Sequence, residues 1–240
     1  MIPATNPGRW AGFLYVVASI PGFFALAYVP GKLFVHGNAT ATSYNIAAHE
    51  TLFRLGIAAD LVSQALFIFV ALALYDLLKG VNREQALSML ILILVAIPIA
   101  FLNEVNSIAT LILVRGADFL SVFDKPQRDA LARLFLNLRG GGFDVAGIFW
   151  GLWLFPLGML VYRSRFLPRF LGILLMIGTF AYLANSFTSL IAPRYEAAVS
   201  RWMNPVQAVE VVFMLWLLIM GARPQAVTMP VSATAGGLER

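Results

Sequence analysis

Asp60, Asn103, Glu104, Asn106, Asn185 and Glu210 interrupt otherwise apolar stretches of this 240-residue chain, and Gln207 lies three residues before the last of them. Carboxylate and amide oxygens in hydrocarbon are costly, so they are paired, neutralised or used. Two chemistries suit them. They can hydrogen-bond helices to one another, or they can converge on a small polar ligand or an ion. Spacing favours convergence on the third apolar stretch, where Asn103, Asn106, Ser107 and Thr110 recur at i, i+3, i+4 and i+7 and so share one helix face. Glu104 stands beside that stripe with no basic residue within a turn. It is expected to be protonated, bonded to Asn185 or Gln207, or bound to a cation. Asp60, Ser63 and Gln64 share a face of the second stretch, and Asn204, Gln207 and Glu210 trace a drifting stripe on the sixth.

The elements that must position these groups are membrane spans. Hydrophobic residues make up 60% of the chain and charged residues 12%, and the mean hydropathy is +0.81. A soluble domain carries about twice that charge fraction. Six apolar segments, at about residues 10–29, 51–78, 86–114, 142–162, 170–191 and 202–220, are each flanked by Lys or Arg. Each is long enough to cross a hydrocarbon core of roughly 30 Å. The fold class expected is therefore all-α: a polytopic six-transmembrane-helix bundle forming a single domain over residues 1–221. The third segment exceeds that thickness and should tilt or kink at Pro98. The first, with Pro21-Gly22 followed by Ala25-Leu26-Ala27, has some features of a signal peptide. It is read instead as an uncleaved helix bent at Pro21, because the apolar stretch is long enough to span.

Between the third and fourth segments, Asp124 and Pro126 form a helix start, and Leu131, Leu134, Phe135 and Leu138 recur at helical spacing. A short amphipathic helix on the outer surface is expected there, stopped by Gly140-Gly141-Gly142. Residues 222–240, rich in Pro, Ser, Thr and Gly, read as a flexible tail.

Loop charge orients the bundle. Arg9, Lys79, Arg83, Arg163, Arg165, Arg169, Arg223 and Arg240 fall on one side, largely in short loops. On the other side the basic residues are diluted through longer loops and offset by Asp118, Asp124, Asp129 and Glu196. Both termini are expected in the cytoplasm, and the polar groups then lie roughly 9 to 15 Å from the outer end of the helices. Several acids have a structural account. Asp144 would sit in the first turn of its helix, Glu210 would follow an Asn204 N-cap and Pro205, and Asp60 could pair with Arg54 or Gln64. Glu50 and Arg54 are spaced for a surface ion pair.

Composition and position exclude several classes. With no cysteine, there are no disulfides, thiolate metal sites or cysteine nucleophiles. Lys32, Lys79 and Lys125 lie outside the apolar segments, which removes an intramembrane retinal Schiff base. The only histidines, His36 and His49, lie on one connection, so haem and chlorophyll lack ligands in the bundle. His49-Glu50 is not continued as a metalloprotease motif, and a zinc site built from these residues has no supporting spacing. The net charge of +5 belongs to span-flanking residues rather than to a nucleic-acid surface. No cofactor is expected.

The stretch Phe155-Pro156-Leu157-Gly158-Met159-Leu160-Val161-Tyr162-Arg163-Ser164-Arg165-Phe166-Leu167-Pro168-Arg169-Phe170-Leu171-Gly172 resembles the hallmark of the domain-of-unknown-function 4386 family. Phe53-Arg54-Leu55-Gly56 and Asp60 are similar to that family's second helix. The resemblance spans roughly residues 9 to 222 and implies a bacterial six-helix membrane protein. It implies no activity. Read physically, the hallmark is a tight basic turn at the membrane surface between closely packed helices.

The functional expectation is a non-enzymatic, multi-pass protein of the bacterial cytoplasmic (inner) membrane. Its partners would be the lipid bilayer and a small ligand or ion, held in an outward-facing polar pocket as in a transporter or a sensor. Glu104, Asn103, Asn106, Asp60, Asn185, Gln207 and Glu210 are the candidate ligand-binding residues. One alternative is an accessory or assembly subunit of a larger membrane complex. Another is a metal-dependent membrane hydrolase using His49 and Glu50.

Overall fold

The computed structural model describes residues 6–222; the tail reading beyond Ala222 lies outside the described residues. Among these, every regular element is a helix. Helix α1 (Pro7–Phe23) is capped by Asn6, whose side chain accepts from the amides of Gly8 and Arg9. It runs without interruption through a π-helical turn, Phe24–Tyr28, into α2 (Val29–Leu33). Pro21 lies inside α1, and the helix continues past it into the wider turn that begins at Phe24.

Helix α3 (Ala39–Ala48) was not anticipated. Asn38 caps it by accepting from the amide of Ala41, and it occupies the connection before α4 (Glu50–Leu78). Helix α5 (Arg83–Arg115) starts at the Asn82 cap and ends on Gly116, whose φ of 69° is the left-handed conformation that favours glycine. Pro98 is carried inside it.

Helix α6 (Lys125–Arg163) differs most from the sequence expectation. The amphipathic segment forms, with a capping box between Asp124 and Gln127, but the three glycines do not stop it. It continues as one 39-residue helix, roughly 58 Å long, far more than a bilayer core requires. Backbone in an apolar environment satisfies its own hydrogen bonds, and that constraint outweighs the weak helix propensity of glycine. A Cβ on Gly140 or Gly141 would meet nothing within 4 Å, whereas one on Gly142 would lie 2.0 Å from Asn103 Oδ1. The bare Gly142 therefore leaves room on α6 for the Asn103 side chain of α5.

Helix α7 (Arg169–Ile191) returns against α6. The hallmark turn brings Gly158 and Gly172 together: a Cβ on either would fall 2.5–2.7 Å from the carbonyl oxygen of the other. A 3₁₀ turn, Pro193–Tyr195, precedes α8 (Glu196–Gln207) and α9 (Val209–Ile219). Asn204 and Pro205 lie inside α8 rather than capping a helix, which corrects the expected start of the sixth segment. The break at Ala208 follows Pro205, whose ring crowds the preceding turn. Glu210 nevertheless sits in a first turn, that of α9.

Among the described residues, six helical stretches are long and apolar enough to cross a membrane: Pro7–Leu33, Glu50–Leu78, Arg83–Arg115, Lys125–Arg163, Arg169–Ile191 and Pro193–Ile219. Most pack on their sequence neighbours, and α1 closes the bundle against α9. There the amide of Gly8 donates to Ala222 O at 3.1 Å, and that of Ala222 to Asn6 Oδ1 at 2.9 Å. The apolar core is divided. A large cluster including Leu74, Met89, Trp153 and Leu157 fills one part, and a smaller one of Val29, Leu33, Ile46, Phe53, Leu111 and Leu136 fills another. Along α4 and α5 the polar groups Asp60 and Glu104 fall between these two clusters.

Candidate functional site

The polar groups singled out in the sequence fall into two separate assemblies and two isolated pairs. The first assembly is a buried ionic layer between α4, α5 and α6. Arg139, carried inward by the unbroken α6, donates from Nε to Glu104 Oε1 at 3.0 Å, and its Nη2 stands 3.0 Å from the same oxygen. The two side chains are 11% and 2% exposed, and the guanidinium also lies over the Phe143 ring, 4.7 Å from its centroid. Glu104 is thus bonded to neither Asn185 nor Gln207. Its partner, Arg139, stands directly before the three glycines at which the sequence pattern predicts the end of the amphipathic helix.

Asn103 fixes the backbone that carries Arg139. Its Nδ2 donates to Arg139 O at 2.8 Å, and Asn106 Nδ2 donates back to Asn103 O and Oδ1, each at 3.1 Å. Thr110 Oγ1 donates to Asn106 O at 2.9 Å. Asp60 is fully buried and accepts from Gln64 Nε2 at 3.4 Å. It has no contact with Arg54, which pairs instead with Glu50 at 2.7 Å as its spacing predicts. The Asp60 carboxyl interacts with that of Glu104 and feels the Arg139 charge. Asp60 Oδ2, Glu104 Oε2 and Ser107 Oγ are buried without a hydrogen-bond partner. Two carboxyl groups are therefore buried in one layer, of which Glu104 is paired with the guanidinium, and the layer has little open space. The void lined by Ser107 and Arg139 holds only about 10 Å³.

The second assembly surrounds a cavity of about 260 Å³ at the α1, α4, α6, α7 and α8–α9 contacts. Its aromatic lining is Tyr15, Phe67, Trp150, Trp153 and Tyr182. Tyr15 meets Phe67 edge-on, with centroids 5.1 Å apart, and Phe67 meets Trp153 the same way at 5.7 Å. Glu210 is the one carboxylate in the wall. The Tyr15 hydroxyl donates to Glu210 Oε2, and Tyr182 lines the same wall. The α9 N-terminus adds the positive end of a helix dipole. Gln207, Gln64, Ser63 and Ser19 complete the polar wall. Gln64 belongs to both assemblies, since its amide donates to Asp60 while its side chain borders the cavity. Phe23, Leu26 and Val211, all exposed, form an apolar rim.

The remaining groups do not join either assembly. Asn185 Nδ2 donates to Asn204 Oδ1 at 2.8 Å, tying α7 to α8. Asp144 lies mid-helix in α6 rather than in a first turn, and Ser189 Oγ donates to its Oδ2 at 2.6 Å. His49 Nδ1 faces Asn45 O, and Glu50 pairs with Arg54 and more distantly with Arg115. Among the described residues no group of three or more His, Asp or Glu side chains is placed to hold a metal ion.

Sequence reasoning found the acids but missed the groups that surround them. Arg139 was hidden by the glycines. The tyrosines and tryptophans read as ordinary span residues, although two mid-span hydroxyls, Tyr15 and Tyr182, each require a buried acceptor.

Six apolar helical crossings with buried polar layers define an all-α, multi-pass integral membrane protein. Residues 10–221 match the family described as Domain of unknown function (DUF4386), and the chain belongs to that family. It is also similar to an uncharacterized protein of Archaeoglobus fulgidus, 32% identical over 80 residues. That match covers 33% of this chain and 46% of the relative, so the chain spans just under half the relative's length. No solved structure matches.

Proposed function

We propose that this chain is a single six-span unit through residue 221 and binds a small molecule in the cavity beside Glu210, as a transporter or a sensor. The observation that carries this reading is the cavity itself: about 260 Å³ of space inside a membrane bundle, with a carboxylate in its wall. A purely structural polar contact leaves little open space, as at the Glu104–Arg139 layer, where the adjoining void holds only about 10 Å³. The candidate ligand contacts are accordingly Glu210 and Gln207. Asp60, Glu104, Asn103 and Asn106 form the rigid layer behind them, linked through Gln64.

In this reading the protein lies in the cytoplasmic membrane with both termini in the cytoplasm. The short turns after α4 and α6 carry Lys79, Arg163 and Arg165, the pattern of cytoplasmic loops. Removing Arg139 from the opposite surface, where it is buried against Glu104, strengthens the asymmetry.

A thermal-shift panel of small amines, carboxylic acids and neutral aromatics tests the reading on the purified full chain. Val211→Trp, at the exposed rim, should plug the mouth. At least one compound should raise the melting temperature of the unmodified chain and fail to do so in V211W. If no compound shifts the unmodified chain, or shifts survive in V211W, the cavity is not a binding site.

A further inference from the structure

We infer that the cavity accepts an organic cation, an amine or quaternary ammonium group on an apolar body. The inference rests on the ligand-binding reading above and names the chemistry of the occupant. It stands on three features of the wall. The first is charge. Glu210 lines the space, and among the described residues around it there is no Lys, Arg or His. The hydroxyl of Tyr15 donates to this carboxyl, and no cationic side chain in the wall pairs with it. A carboxylate held away from water inside a bundle is most stable opposite a cation.

The second feature is hydrogen-bonding polarity, because the serine hydroxyls and one N–H of each glutamine in the wall already donate to protein acceptors. Ser63 Oγ donates to Ala18 O at 2.8 Å and Ser19 Oγ to Tyr15 O at 2.8 Å. Gln207 Nε2 is directed at Ala181 O, 3.4 Å away, and Gln64 Nε2 at Asp60. The indole N–H groups of Trp150 and Trp153 remain in the lining, but they carry no charge. An anion would meet Glu210 without a counter-charge.

The third feature is the set of rings. Phe67, Trp150 and Trp153 line the same space as the carboxylate, and aromatic rings beside an acid are the combination that recognises alkylated ammonium groups. The apolar rim of Phe23, Leu26 and Val211 suits the hydrocarbon part of such a molecule. These positions are exposed on helices that cross the membrane, so an amphiphilic cation reaches the mouth from the bilayer side.

Three probes of similar bulk on the full chain in detergent separate the possibilities: benzyltrimethylammonium, its neutral carbon isostere neopentylbenzene, and benzenesulfonate. Binding is read by tryptophan fluorescence and by thermal shift. Benzyltrimethylammonium should bind saturably and about tenfold or more tighter than neopentylbenzene, the scale of a desolvated cation–π contact plus an ion pair. Benzenesulfonate should be the weakest. Glu210→Gln should remove the cation's advantage while leaving the neutral probe's affinity unchanged. Equal binding of cation and isostere by the unmodified chain overturns the inference, and that comparison needs no variant to fold. If that equal binding is lost in V211W, the ligand-binding reading survives and only the cation assignment falls. If none of the probes binds, the cation assignment fails. If no compound of the wider panel shifts the chain either, the ligand-binding reading fails with it.

Discussion

Arg139 and Glu104 meet inside the bundle with two guanidinium nitrogens, each 3.0 Å from one carboxylate oxygen, although 35 residues of chain separate them. The pair joins α5 to α6 at the level where Asp60 of α4 also arrives. It turns a sequence-level puzzle, an acid deep in an apolar helix, into an interhelical tie. A desolvated pair of this kind is weak evidence for net stability but sensitive to the loss of one partner.

Arg139→Met should therefore destabilise the protein by about 3–5 kcal/mol, because it leaves Glu104 buried without its counter-charge. Chemical denaturation in detergent would measure this. The double variant R139M/E104Q should recover much of the loss. A double variant as unstable as the sum of the singles would mean that the two residues are not coupled.

Replacing the glycines one at a time tests whether α6 is continuous. Gly141→Ala meets no neighbour and should be neutral or stabilising by about 0.5–1 kcal/mol if the position is helical. Gly142→Ala should cost about 1–3 kcal/mol, since its Cβ would collide with Asn103. That cost should shrink in an Asn103→Ala background. A strongly destabilised G141A would argue for a non-helical stop.

The absence of native cysteine makes topology directly measurable. Gly80→Cys and Ser121→Cys place single thiols in turns at opposite ends of the bundle. A membrane-impermeant maleimide applied to intact cells should label the thiol at position 121. The one at position 80 should react only after permeabilisation. The reverse pattern would invert the proposed orientation.

Tyr15→Phe deletes the hydroxyl that donates to Glu210 while keeping the ring packed on Phe67. It should lower stability by about 1.5–3 kcal/mol, the range for a hydrogen bond to a charged group. In the Glu210→Gln background the same change should cost less. Equal costs in both backgrounds would mean that the hydroxyl's contribution does not depend on the Glu210 carboxylate.

Local chemistry was enough to determine the gross architecture of this protein. Apolar length, flanking basic residues and the Asn82 and Asp124 caps are properties of short windows, and a bilayer allows few answers to such a pattern. The acids that matter were visible for the same reason, as a carboxylate in an apolar run stands out without any knowledge of its neighbours. Their partners belong to the tertiary structure. Whether Gly140-Gly141-Gly142 ends a helix or lets one pass depends on the surroundings of the backbone, and on the room Asn103 needs. That decided where Arg139 went, and hence that Glu104 was paired. Likewise, Tyr15 and Glu210 are 195 residues apart, and only the closure of α1 onto α9 brings them to one cavity. Pair energies and cavities depend on distances between distant segments, and a linear pattern of residue types does not contain those distances.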